Sequence, residues 1–420
     1  MPHIEERIRS IYAEYPPPFW TLVIATFIDR IGGALLFPFF ALYITKKFSV
    51  GMTEVGILFA IFAGSSFIGS MIGGALSDRL GRKGVLIFSL IATSVSAIAM
   101  GLVESMRAFF ILGAVVGILT DVGSPAHQAI VADLLPEEKR AQGYGIIRVA
   151  FNISVAIGPA IGGFLATRSY LLLFIADAII SLVTAAIVFF ALPETKPATA
   201  PGAAQESVAG SFRGYFLVLK DRIFILFLGA CILMALVYMN MNTTLGVYLR
   251  DAHAIPEYGY GFILSLNAIM VVFLQFPITR RITGYPPMLI MTLGTFLYAV
   301  GFGMYGFVSA YGLFLLAMVI ITFGEMLVVP VSQAVVANLA SEDMRGRYMA
   351  VFGISWGLPF AIGPYLAGLI LDRADPRLLW YAAGMVGLLG AAGFLLLHYQ
   401  VRPKPAAQAE PAIYSRGMDE

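Results

Sequence analysis

The chain has 420 residues, of which 59% are hydrophobic and only 12% charged, with 27 Lys and Arg against 25 Asp and Glu. A mean hydropathy of +0.85 excludes an ordinary soluble globule, whose charged share is about 25%. A net charge of +2, spread over short segments, excludes a nucleic-acid partner, and the single cysteine, Cys231, excludes an internal disulfide or a cysteine metal cluster.

In chain order, Glu5, Glu6, Arg7 and Arg9 lie on a short amphipathic stretch before Pro16, Pro17 and Pro18, which lacks the layout of a cleaved signal peptide, so the first apolar helix is expected to stay attached. Apolar runs long enough to cross a bilayer follow at 19–44, 53–77, 84–103, 108–132, 143–167, 169–192, 222–249, 258–279, 288–308, 310–336, 346–371 and 377–399. The expected fold is therefore an all-α membrane protein with twelve transmembrane helices. An even number returns the chain to its starting side. The loops on that side carry most of the lysine and arginine, among them Arg79, Arg82, Lys83, Lys139, Arg140, Lys196, Arg280, Arg281 and Arg347, whereas the opposite loops carry few. This bias places both termini in the cytoplasm and the protein in the cell membrane. Four segments are expected: a six-helix bundle over 1–192, a cytoplasmic linker over 193–221 with Pro193, Pro197 and Pro201, a second six-helix bundle over 222–399, and a disordered tail over 400–420.

Between the second and third runs the chain reads Gly74-Ala75-Leu76-Ser77-Asp78-Arg79-Leu80-Gly81-Arg82-Lys83. Glycine lets the backbone reverse within a few residues, and Arg79, Arg82 and Lys83 cannot enter hydrocarbon. The segment matches every fixed position of G-x-L-[SA]-D-R-x-G-R-[KR] and so resembles the signature of the major facilitator superfamily. That resemblance implies the major facilitator fold: two pseudo-symmetric six-helix bundles that rock around a central cavity.

The two halves are also related by residue. A shift of 205 places Pro125, Gln128, Glu137, Arg140, Gly158, Pro159 and Gly163 on Pro330, Gln333, Glu342, Arg345, Gly363, Pro364 and Gly368. One duplication accounts for matches in loops as well as helices, and parallel repeats of this kind suit transport by alternating access.

On the fifth run, Gly158-Pro159-Ala160-Ile161-Gly162-Gly163 resembles an element typical of antiporters in the superfamily, although a plain packing face also explains it. Ionisable residues inside apolar runs cost at least about 2.5–3.5 kcal/mol each and so need a reason. Asp29 and Arg30 on the first run, Asp121 on the fourth and Glu325 on the tenth are the candidates for proton and substrate binding. By the resemblance, all lie on cavity helices. Phe27-Ile28-Asp29-Arg30 and Phe323-Gly324-Glu325-Met326 with Pro330 resemble the LmrP-like branch of drug/proton antiporters, which implies a substrate or proton role for Glu325. Asp133 matches an acidic position of that branch. The arginine-centred motif of many relatives on the fourth helix is replaced by Asp121-Val122-Gly123-Ser124-Pro125, so Arg30 or Arg148 is left to supply its charge.

A carboxyl group in a weakly hydrated cavity holds a proton near neutral pH and releases it when a cation arrives, so proton and substrate compete. The expected activity is proton-coupled efflux of lipophilic, cationic drugs, driven by the proton gradient with no cofactor; symport of a sugar or other small metabolite is the alternative. The partners are then a small-molecule substrate, protons and the lipid bilayer, with the protein a monomer. Phe27, Phe37, Tyr238, Met239, Met241 and Met326 are candidates for an adaptable cavity wall. Gly74, Asp78, Arg79, Gly81, Arg82, Lys83 and Asp133 are expected to form a gate, with Asp78 facing the start of the eleventh helix near Gly346. Asn152 and His127 are open to either a cavity or an interhelical role, and Asp177, on the usually peripheral sixth helix, is expected to make a structural hydrogen bond. Histidines 3, 127, 253 and 398 are scattered, which argues against an enzyme.

Overall fold

A computed structural model describes residues 12–196, 217–340 and 344–400. The charged N-terminal stretch, most of the expected linker and the tail lie outside these residues. Twelve spanning helices run in order: α1 (Pro17–Phe48), α2 (Met52–Leu80), α3 (Arg82–Leu102), α4 (Met106–Leu134), α5 (Gln142–Arg168), α6 (Tyr170–Ala191), α7 (Arg222–Thr243), α8 (Glu257–Ile282), α9 (Pro287–Met304), α10 (Tyr311–Leu339), α11 (Arg347–Arg373) and α12 (Arg377–Gln400). The side on which α1 begins and α12 ends is called the near side below, and the opposite one the far side.

Helix ends and breaks follow local chemistry. Ser105 and Asp221 accept backbone N–H groups at the starts of α4 and α7, satisfying donors that have no partner within the helix. The α2–α3 turn is tight because Gly81 takes φ +106°, a conformation that side chains resist. Pro38 has no N–H to donate, and α1 passes through a 3-10 turn over Phe37–Phe39 at that point. Helix α4 is interrupted at Val122, directly after Asp121, and α11 at Gly353. Val122 at the first break is buried, whereas Gly353 at the second is exposed; such interruptions are tolerated where protein surrounds them or water reaches them.

The outer surface is oily. Phe190, Phe307 and Phe276 are 83%, 79% and 75% exposed, which water would penalise and lipid does not. Interior faces instead use small residues. Gly69 and Gly73 of α2 lie directly on the carbonyls of Ile118 and Val122, so α2 and α4 approach more closely than any side chain permits. Within the first half α1 packs on α5 and α6, and α3 on α6; within the second, α9 packs on α10 and α12, and α7 on α11 and α12.

Among the described residues the halves meet mainly through α2 against α11 and α5 against α8. The backbone of Gly56 on α2 meets Pro364 and Tyr365, and that of Gly261 on α8 meets Pro159 and Gly163. Likewise Gly368 on α11 meets Met52 and Thr53, while Gly163 on α5 meets Glu257 and Tyr258. The same 205-residue shift carries Gly56 to Gly261, Pro159 to Pro364, Gly163 to Gly368 and Met52 to Glu257. The duplication therefore extends to the interface itself.

These glycine contacts all lie toward the far side. There Asp372 at the end of α11 accepts hydrogen bonds from the Met52 and Thr53 amides (2.8 and 2.7 Å) and from Thr53 Oγ1 (2.6 Å), capping α2 from the other half. Arg250, in the short helix Leu245–His253 that continues α7, donates to Leu42 O and Thr45 Oγ1 of α1, both at 3.1 Å. Tyr170 OH donates to Glu257 Oε1 at 2.7 Å. Toward the near side Arg148 Nη1 donates to Gln333 Oε1 at 3.2 Å. The halves thus close at the far side.

Candidate functional site: a cavity between the halves

On the near side of the glycine contacts lies a cavity of about 500 Å³ lined by α1, α5, α7, α8 and α10. The lining is mostly apolar, with Phe37, Pro38, Phe151, Met241 and Leu264, and its polar groups are few: Arg30, Asn152, Tyr238, Asn242, Asn267 and Glu325. A concave apolar wall with a small number of polar groups is the usual form of a small-molecule site.

Glu325 sits near the middle of α10, and both of its carboxylate oxygens are engaged. Tyr238 OH donates to Oε1 at 3.0 Å, and Asn267 Nδ2 donates to Oε2 at 2.7 Å. Asn267 also donates to Thr322 Oγ1 at 3.0 Å, and that hydroxyl donates to Met318 O at 2.7 Å, which fixes the amide against α10. Aromatic rings surround the carboxylate: Tyr238 lies 5.5 Å from Tyr298 and, edge to face, 5.7 Å from Trp356. Tyr298 OH is buried with no hydrogen-bond partner among the described residues. Among those residues Glu325 has no ion-pair partner either. Hydrogen bonds to a charged group contribute about 1.5–3 kcal/mol each, whereas removing an ion from water costs several. Two neutral donors leave room for a proton or a positive charge.

Arg30 faces the same cavity from α1, its Cζ lying 5.9 Å from the centre of the Phe151 ring. Asp29 and Asp121, expected on the same site, do not line it. Asp29 faces a separate void of about 30 Å³ inside the first half, together with Thr26, His127 and Thr184. The reason is helical geometry: consecutive residues project about 100° apart, so Arg30 and Asp29 take different faces of α1. Asp121 is half-buried at the break in α4. His127 belongs to the inner void, where Thr26 Oγ1 donates to Leu22 O at 2.7 Å and lies 2.7 Å from His127 Nε2. Asp177 is buried, but in place of the expected hydrogen bond it accepts none from a described residue. Asn152 lines the cavity.

The expected wall is also sorted. Tyr238, Met241 and Phe37 line the cavity, whereas Met326 is fully buried and Phe27 packs against the first-half core. Thr244 Oγ1, just past the end of α7, donates to Asn240 Oδ1 at 2.8 Å. Asn267, Tyr298 and Trp356 are not singled out by the sequence. For Asn267 the signal was present, as an amide isolated in an apolar run; for the two aromatics nothing local separates cavity from core.

On the α5 element, Gly158 meets Ala34 and Leu35, Gly162 meets Leu35 and Phe39, and Gly163 meets α8. Its glycines are close-approach points to α1 and to the other half. At the near side Arg82 bridges two acids, through Nη1 to Asp78 Oδ1 at 2.6 Å and Nε to Asp133 Oδ2 at 3.2 Å. In this conformation Asp78 pairs with Arg82, not with the start of α11. Glu194, absent from the expected set, caps α3 by accepting from the amides of Arg82 (2.8 Å) and Lys83 (3.2 Å). Burial raises its pKa, but amide donors from Lys196, Arg82, Thr195 and Lys83 outweigh this and hold it below the ordinary glutamate value. Lys83 Nζ donates to Phe189 O and Lys196 Nζ to Arg79 O, at 2.7 and 2.8 Å, tying the turn to the end of α6.

The chain is 28% identical over 377 residues to the Na(+), Li(+), K(+)/H(+) antiporter of Planococcus maritimus, an alignment covering 83% of this chain and 87% of that protein. It is 29% identical over 144 residues to the quinolone resistance protein NorA of Staphylococcus aureus, covering 34% of this chain and 37% of NorA. The crystal structure of the nucleoside transporter NupG superposes with a TM-score of 0.76 at 13% identity, over 92% of this chain and 100% of that one, which shows a common fold. The family model of the Major Facilitator Superfamily matches residues 22–324 and again 230–414. With two related bundles around one cavity and a family model that spans nearly the whole chain, the protein belongs to the Major Facilitator Superfamily of transporters.

Proposed function

We propose that this transporter is a proton-coupled antiporter of the cell membrane that expels lipophilic cations, working as a monomer with both termini in the cytoplasm. On that orientation the near side is cytoplasmic and the structure is the state closed to the outside. The observation that carries the reading is Glu325: a carboxylate in an aromatic and apolar cavity, bonded to Tyr238 and Asn267, in a lining to which the second half contributes no basic side chain. A cation gains there from the carboxylate and from ring faces, each cation–π contact contributing about 0.5–2 kcal/mol. A proton neutralises the same group and displaces the cation. Exchange in the opposite sense then follows from competition, and because one proton for one singly charged cation moves no net charge, the pH gradient alone drives it. The activities for which two relatives are named, cation/proton antiport and quinolone resistance, agree with this direction.

Inside-out vesicles containing the protein should accumulate ethidium at the expense of an imposed pH gradient, and the Glu325→Gln variant should not. Sugar-dependent proton movement without ethidium accumulation would favour symport and overturn the reading.

A further inference from the structure

Asp177 and Asp29 are left without a partner by the cavity just described. Asp177 lies on α6, 7% exposed, and its Oδ1 sits where a side chain at Gly32 of α1 would begin, 2.5 Å from that position. Gly32 lies one turn along α1 from Asp29. Neither carboxylate has a hydrogen bond or ion pair with any described residue. On the same face of α6, one turn beyond Asp177, Ser181 Oγ is buried with its side chain unpartnered among the described residues, in a residue only 1% exposed. Thr184 and Val188 continue this face and line the void that Asp29 enters.

The charges at this depth do not balance. From α1 come Asp29 and Arg30, from α4 His127 and Asp121, and from α6 Asp177 itself. Helices α3 and α5, which also pack on α6, carry their charged residues toward their ends: Arg82 and Lys83 on α3, Arg148 and Arg168 on α5. Among the described residues Arg30 is thus the single permanent cation near three acids. Asp177 is buried and Asp29 partly so, and two such carboxylates on facing helices repel one another when both are ionised, a repulsion that a proton on either one relieves.

We infer that Asp29 and Asp177 form a proton-carrying pair inside the first bundle, spatially separate from the cavity that holds Glu325 and coupled to it through Arg30. Arg30 lines both spaces, which is the geometric basis of the coupling. With one shared proton the pair carries a single negative charge, which offsets the Arg30 guanidinium; when the proton leaves, a second negative charge stands beside Arg30 and the cavity favours a cation. When the proton returns, that surplus is cancelled and the attraction for the cation falls. No bond other than the carboxyl O–H forms or breaks. The inference rests on the proposed antiport for its physiological sense, but its proton site is testable without any substrate.

The test uses the full chain in lipid nanodiscs. Infrared difference spectra between alkaline and acidic pH should show a carboxyl C=O band in the parent that is lost or displaced in Asp177→Asn and in Asp29→Asn. A band unchanged in both, in folded protein, overturns the pair. Gly32→Ala keeps both acids but displaces Asp177, and should shift the titration midpoint of the band without abolishing it; an unmoved midpoint counts against the pair. Ethidium affinity measured over the same pH range reads the coupling. The parent should weaken about 5-fold or more on acidification, within the usual range of coupling between sites, and in Asp177→Asn that dependence should shrink to the part that protonation of Glu325 supplies. Full pH dependence in Asp177→Asn overturns the inference. A parent that titrates at the pair yet never binds ethidium refutes the proposed substrate class instead and leaves the proton site standing.

Discussion

Glu325 and Asp78 are both acids, but the surroundings give them different tasks. The Glu325 carboxylate is held by one phenol and one amide, so removing the phenol hydroxyl in Tyr238→Phe deletes one hydrogen bond to a charged group. Such bonds contribute about 1.5–3 kcal/mol, and cation affinity measured by ethidium fluorescence should fall by about 10-fold while the fold persists. Glu325→Gln should abolish proton-driven accumulation altogether. Asp78 is 74% exposed and paired with Arg82, so its loss costs little stability. Asp78→Asn should insert normally and still lose transport, because the near-side turn then lacks the carboxylate expected to engage α11 when that side closes. Normal uptake by well-inserted Asp78→Asn protein would remove it from the gate. Of the residues named from sequence, Glu325, Arg30 and Asn152 meet in one cavity. Asp29 does not, because an intramembrane charge announces itself in a sequence while the face it takes depends on its neighbours.

At the scale of elements, helix ends act as fasteners. Asp372 binds the first two amides of α2 and the Thr53 hydroxyl across the boundary between the bundles, at the positively polarised end of that helix. Alternating access requires this contact to break. Asp372→Ala should therefore raise the population open to the far side, seen as longer spin-label distances between α2 and α11 at that end; unchanged distances would show that the glycine contacts alone hold the closure. Glu194 caps α3 in a similar way, but within the first half, tying it to the end of α6. Because its folded pKa lies below the ordinary glutamate value of 4.5, its contribution is complete above that pH and lost as acidification passes through the folded value. Glu194→Ala should thus lower thermal stability at neutral pH, by about 1 kcal/mol as expected for a lost cap, and have a diminishing effect as the medium becomes acidic. The Gly81 turn was legible because a charged break between apolar runs is unmistakable. Its cap was not, since Glu194 comes from just beyond the end of α6, more than a hundred residues along the chain.

At the scale of the molecule, the two halves are tied at one end through related glycine contacts and part around a cavity below them. Rigid-body rocking predicts that fixing the far-side ends together stops the cycle. Cysteines placed by Lys46→Cys and Glu257→Cys, residues whose side chains now lie 3.7 Å apart across the boundary, should block transport when joined by a short bifunctional reagent and restore it on cleavage. The native Cys231 is buried within the second half and leaves a quiet background. Transport that survives the cross-link would rule out rocking about the near side.

By itself the sequence determined the membrane class, the number of helices, the duplication and the acids worth testing. Each of these is written in local composition or in a fixed register: hydrocarbon demands long apolar runs, basic loops resist it, and a repeat preserves spacing. Only the tertiary structure decided which acids share a space, that Asn267 and Tyr238 hold Glu325, that Asp177 lies against Gly32, and at which end the halves meet. Those facts depend on rotation about each helix axis and on contacts between residues far apart in the chain, and along an almost uniformly apolar helix there is no polar stripe from which that rotation can be read.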